Sequence, residues 1–181
     1  AADISLVLQG GLRSVIAALL LLVWARLRGI PMFRSDGTLG AGLLAGALFA
    51  AEFLFIFAGL AHTGASRMVV FIYLAPCFTA LGLQWLVPSE RLSARQWAGV
   101  GLAFVGVAAA FADGFVSDRS SLLGDAFGVV AAALWAATTV IIRTSRLNNA
   151  NAAKTLFYQL AVTAVALPLA GRRALAVEVQ A

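Results

Sequence analysis

The chain has 181 residues, 62% of them hydrophobic and 12% charged, with a net charge of +5; ordinary globular domains hold about 45–50% and about 25%. A soluble fold of this size could not bury so much apolar side chain, so the composition predicts an all-α, polytopic transmembrane helix bundle. Nucleic acid is excluded as a partner, because the arginines lie in the breaks between apolar runs, where they act as topogenic charge, and no basic patch is interleaved with aromatics.

Six apolar segments follow in chain order: Ile4–Ala25, Leu39–Ala61, Met68–Val87, Trp97–Phe111, Leu122–Ile142 and Ala153–Leu169. A bilayer crossing needs roughly 20 residues, so the fourth and sixth are expected to extend into their flanks. Short connections make neighbouring helices antiparallel. The chain begins at Ala1, its first methionine is Met32, and no charged n-region with a cleavage site precedes the first run; the expectation is a piece of a longer chain rather than a signal peptide. The single cysteine, Cys77, allows no internal disulfide.

The first two segments each carry a charge at depth. Arg13 and Glu52 both lie nine residues from the predicted outer end of their helix, roughly 13 Å deep at about 1.5 Å per residue. Each alone costs on the order of 3 kcal/mol at the bilayer centre, so both are expected to face the bundle interior. Ala41, Ala45, Glu52 and Gly59 share one side of their helix, with Leu43, Leu54 and Phe57 opposite. Two readings stand. Arg13 holds a substrate carboxylate while Glu52 binds a proton or an amine, or the two form an ion pair that fixes two helices.

In the third segment Pro76 cannot donate to the Ile72 carbonyl, which predicts a kink, either a fixed bend or a hinge. Ser66, Tyr73, Cys77, Ala80 and Gln84 align on one face and either line a cavity or bond between helices. Arg67 stands at the outer mouth, to attract anionic groups or to anchor at headgroups. Pro88–Arg91 make a polar elbow, and Ser93 and Gln96 have capping-box spacing at the start of the next helix. Gly42 and Gly46, then Gly99, Ala103, Gly106 and Ala110, then Gly128, Ala132 and Ala136 form small-residue stripes suited to helix packing. Asp125 sits in a first helical turn, to favour the helix dipole or to bind a cation. Trp135 and Tyr158 either stack on a ligand or pack, Gln159 and Thr163 share a face, and His62 lies in a tight outer turn. Without a His/Cys cluster, a H-E-x-x-H, a G-x-S-x-G or a Walker loop, no metal, cofactor, catalytic residue or ATP use is expected.

Arg26, Arg28, Arg34, Arg91, Arg95, Arg143, Arg146 and Lys154 fall on one side of the alternating connections; Arg67, Arg119, Arg172 and Arg173 fall on the other. The richer side is expected to be cytoplasmic.

The strings APCFTALG and SERLSARQWAGVGLAFVGVA, with GLRSVIAALLLLVWARLRGI near the start, carry an alanine-proline pair, a glutamate-arginine-leucine turn and a glycine-rich helix. Over nearly all of residues 4–170 the chain resembles EamA-type transporters of the drug/metabolite transporter superfamily. The resemblance implies ten helices in two repeats of five, of which this chain would supply helices two to seven. Residues 1–112 would be the first repeat without its first helix, 113–121 the outer link, and 122–181 the start of the second. It implies a secondary transporter in the inner or plasma membrane, exporting small polar metabolites such as amino-acid-like compounds. Partners would then be the lipid bilayer, a small-molecule substrate, protons where transport is coupled, and a second copy of the chain. On that frame Arg13, Glu52, Arg67, Tyr73, Gln84, Asp125, Trp135 and Gln159 are the candidate pathway residues and Pro76 the candidate hinge. A membrane scaffold that assembles with other helices is the alternative; an intramembrane enzyme lacks its nucleophile–base pair.

Overall fold

The computed structural model describes residues 6–112 and 121–178, the stretch 172–178 by its backbone alone. Residues 113–120, which hold most of the expected link, lie outside the described residues, as does Arg119. Among the described residues the chain is helical and contains no strand. The helices are α1 Leu6–Leu27, α2 Leu39–Leu60, α3 Ala65–Ile72, α4 Ala75–Leu86, α5 Ala94–Ala110, α6 Leu122–Thr144 and α7 Ala152–Glu178, with single 3₁₀ turns at Pro88–Glu90 and Arg146–Asn149. Five stretches are long and apolar enough to cross a membrane: α1, α2, α3 with α4, α6, and α7 to Gly171. The protein is a multi-pass membrane protein. α5 has 17 residues, about 25 Å of helix against a hydrocarbon core of about 30 Å.

Local chemistry accounts for the helix ends. Ser93 caps α5: its hydroxyl accepts from the Gln96 N–H at 3.4 Å while Gln96 Oε1 accepts from the Ser93 N–H at 2.9 Å. That reciprocal box starts the helix at Ala94, as the capping-box spacing predicts, three residues ahead of the apolar run at Trp97. The third apolar segment is broken rather than merely bent. Tyr73 (φ −69°, ψ 2°) closes α3, and Leu74 donates to the Phe71 carbonyl at 3.0 Å in a tightened turn. Pro76 then lies in the first turn of α4, where its missing donor costs nothing. α7 runs past the expected end at Leu169, with Pro168 inside it. The Pro168 ring lies over Gly11 of α1, where a Cβ would come within 2.7 Å of its Cγ.

The described residues form two compact units, 1–54 with 141–181 and 55–140, whose boundaries fall within α2 and α6. In the first unit α1 packs along α7. α2 meets α7 at its glycines: a Cβ on Gly46 would stand 2.7 Å from both the Tyr158 carbonyl and Val162 Cγ2. In the second unit α5 packs on α3 and α4, and a Cβ on Gly128 of α6 would stand 2.8 Å from Phe71 Cβ. Phe55 and Phe127 meet edge to face at 5.6 Å. The expected packing stripe on α5 is not seen: Gly99 and Gly106 have no atom within 4 Å of where a Cβ would be. Gly99 and Ala103 instead line a cavity with Tyr73, Pro76 and Cys77, because α5 turns other residues toward its neighbours.

Candidate functional site

In the first unit, α2 carries Glu52 into the interior. The residue is 3% exposed and its Oε2 has no hydrogen-bond partner among the described residues. Small neighbours on its own face, Ala45 among the fully buried ones, let the carboxylate sit inside. An ionised group left unpaired at membrane depth costs on the order of 3 kcal/mol. A bound cation, whether a proton or an ammonium group, would remove that cost.

Arg13 does not supply this partner. It is exposed, and its guanidinium lies 5.3 Å from the Phe53 ring centroid, a cation–π contact. The buried residues of α1 are Gly10, Gly11, Ser14, Ala18 and Ala25. That small-residue stripe sets the face turned to the unit, and Arg13, about 100° around the helix from Ser14, points away from it. The expectation that both charges turn inward is therefore corrected for Arg13, and the ion-pair reading with it.

The second unit holds a cavity of about 580 Å³ beside the α3–α4 break. Tyr73, Pro76, Thr79, Glu90 and Trp135 are among its lining residues. Tyr73 is 50% and Trp135 47% exposed. Gln84 is placed otherwise: its Oε1 accepts from the Leu92 N–H at 3.1 Å and fastens the elbow to the end of α4.

At the start of α3 and α6, Arg67 and Asp125 hold each other. Arg67 Nη2 donates to Asp125 Oδ2 at 2.5 Å, Arg67 Nε to Oδ1 at 3.3 Å, and the Thr63 hydroxyl to Oδ1 at 3.2 Å. This forked, charge-assisted geometry ties the two helix starts together. His62 stands beside it, 6.1 Å from the Phe127 ring.

The Thr163 hydroxyl is spent on the Gln159 carbonyl at 2.7 Å. Gln159 itself lines a separate cavity of about 370 Å³ with Arg143 and Asn148. Tyr158 takes part in a network absent from the sequence reading. Lys154, 4% exposed, donates to the Arg34 carbonyl at 2.7 Å and to Asp36 Oδ2 at 2.8 Å. Asp36 Oδ1 accepts from the Thr38 N–H at 3.1 Å and from its hydroxyl, and that hydroxyl lies 3.2 Å from the Tyr158 hydroxyl. The turn residues Ser35–Thr38 gave the local half of this signal; the lysine 118 positions away gave none. Among the described residues no group of three or more His, Cys, Asp or Glu comes together to hold a metal.

Compared with known proteins, residues 1–112 match the model of the EamA-like transporter family. No curated protein and no solved structure matches the chain.

Proposed function

From the premise that this chain belongs to the EamA-like transporter family, and so to membrane transporters of the drug/metabolite kind, we propose that it exports a small polar, amino-acid-like metabolite across the cell membrane in exchange for protons bound at Glu52. The observation that carries the reading is that carboxylate, buried at 3% exposure in the middle of a 22-residue apolar helix, with Oε2 unpartnered. A carboxylate whose Oε2 has no hydrogen-bond partner among the described residues, and whose desolvation cost is high, is better suited to taking up and releasing a cation than to holding two helices together.

In this reading the α3–α4 break supplies the moving part. The hydrogen-bond ladder tightens at Leu74, whose N–H turns to the Phe71 carbonyl, and Pro76 has no N–H with which to restore the regular spacing. Broken helices of this kind suit carriers whose halves rock about a midplane site. Tyr73 and Trp135 face the cavity beside the break and would receive the apolar part of a substrate. The Arg67–Asp125 pair would close the outer side, and Gln84 would hold a helix end rather than substrate. Residues 1–112 would form one repeat and 122–181 the beginning of the next.

The test is exchange in vesicles loaded with an amino-acid mixture and a pH-sensitive dye, with the full chain reconstituted. Glu52→Gln is expected to abolish substrate-dependent proton movement, and Glu52→Asp to keep part of it. Should Glu52→Gln move both substrate and protons at the wild-type rate, the carboxylate has no such role.

A further inference from the structure

The loop joining α1 and α2 is a fixed piece of structure. Gly29, at φ +66°, turns the chain in a conformation that other residues avoid. Met32 is buried with Ala25 and Ala153, packed by Leu21, Leu22, Ile30 and Phe157. Phe33 meets Phe157 edge to face at 6.0 Å, and the Arg34 carbonyl receives the Lys154 ammonium.

Despite this anchoring, the loop leaves a cavity of about 630 Å³. Leu22, Ile30, Met32 and Phe33 give it apolar walls, and Arg26 and Arg34 give it two cations. Neither guanidinium has an ion pair or a hydrogen bond among the described residues. No carboxylate lines the cavity, and the acid of this loop, Asp36, is committed to Lys154 and Thr38. Phe33 is 80% exposed. Arg28 lies over the Trp24 ring at 6.0 Å, the pairing of aromatic and basic side chains found at a membrane surface.

We propose that this cavity binds one anionic phospholipid, its phosphate between Arg26 and Arg34 and the upper part of an acyl chain along Leu22, Ile30 and Phe33. Charge decides the class of headgroup. Two unpaired cations with no acid beside them favour a net negative charge, whereas a zwitterionic headgroup brings an ammonium that cancels the gain. The apolar wall decides for a lipid over a soluble anion, which has nothing to place there. Basic pockets at the ends of membrane helices hold anionic headgroups in this way. The inference needs only that the chain is embedded in a bilayer and is independent of what it transports.

The test is retention of lipid by the purified full chain, titrated in detergent with phosphatidylglycerol or phosphatidylcholine and read by native mass spectrometry. The expected result is one phosphatidylglycerol held at least tenfold more tightly than phosphatidylcholine. At roughly 1 kcal/mol per basic residue near an anionic surface, each of Arg26→Gln and Arg34→Gln should weaken it about fivefold, and the pair about twenty-fivefold. Lysine at both positions should restore most of it. Equal retention of the two lipids would overturn the proposal. So would an equal loss in the control Arg91→Gln/Arg95→Gln, which removes the same charge elsewhere, since diffuse attraction would then suffice. Displacement of the lipid by an equal concentration of glycerol phosphate would overturn it as well, because the acyl chain would contribute nothing.

Discussion

Lys154 and Asp36 show how one side chain fixes a loop. Burying an ammonium is costly unless its donors are met, and here the Arg34 carbonyl and the Asp36 carboxylate meet them. The hydrogen bond from Lys154, then that from Thr38, lowers the Asp36 carboxyl from 3.8 to about 2. A depressed carboxyl stabilises the fold above its unfolded value, and that stability is lost as the pH falls through the folded one. Thermal stability is therefore expected to hold down to about pH 4 and to fall toward pH 2 through this pair. Asp36→Asn should start from a lower melting temperature and show a shallower decline over that window. A decline of equal steepness in the variant, followed by circular dichroism in detergent, would place the acid sensitivity elsewhere. Glu52 is the opposite case in the same unit. Its Oε2 is buried with no hydrogen-bond partner among the described residues, which is why one carboxylate reads as structural and the other as a working group.

Among the helices, the glycines separate into two kinds, and the difference is measurable. Gly46 stands against backbone, where an added Cβ would come within 2.7 Å of the Tyr158 carbonyl. Gly106 faces open space. Gly46→Ala is expected to force α2 and α7 apart and to cost about 1–3 kcal/mol as overpacking does. Gly106→Ala should gain about 0.5–1 kcal/mol from helix propensity alone. Unfolding titrations in mixed micelles read both, and shifts of the same sign would contradict the packing described. Features governed by near neighbours in the chain were legible beforehand: the Ser93–Gln96 box, the interruption around Pro76, and the close-packing spacing of Gly42 and Gly46. Features set by a distant partner were not. Nothing near Gly11 announces the Pro168 ring; the buried face of α1 is marked by Gly10, Gly11, Ser14 and Ala18, and the expectation for Arg13 rests on its depth rather than on that stripe. Glu52 was placed inside correctly because small residues on its own helix mark that face. In the sequence Lys154 stands only among the topogenic charges, because its acceptors lie more than a hundred residues upstream.

The two ion pairs constrain how many times the chain crosses the bilayer. Arg67 and Asp125 are bonded to each other, so the starts of α3 and α6 lie on one side of the membrane. Between them run the α3–α4 span and α5. Asp36 and Lys154 are likewise bonded, which places the α1–α2 loop and the start of α7 on one side. Between these run α2, the α3–α4 span, α5 and α6. Both pairs require an even number of crossings, and both counts are even only if α5 crosses, short as it is. Local thinning of the bilayer accommodates a mismatch of a few ångströms at modest cost. By its positive charge the side with Arg26, Arg28, Arg34, Arg91 and Arg95 is expected to be cytoplasmic. Single cysteines at the exposed positions Ser35, His62, Ser89 and Asn148, in a Cys77→Ser background, check this with a membrane-impermeant maleimide. Ser35, Ser89 and Asn148 should react only from the cytoplasmic face and His62 only from outside. If Asn148 reacts from the same face as His62, α5 lies within one leaflet, and the two ion pairs would then have to join opposite surfaces of the membrane, which their lengths of 2.5 and 2.8 Å forbid.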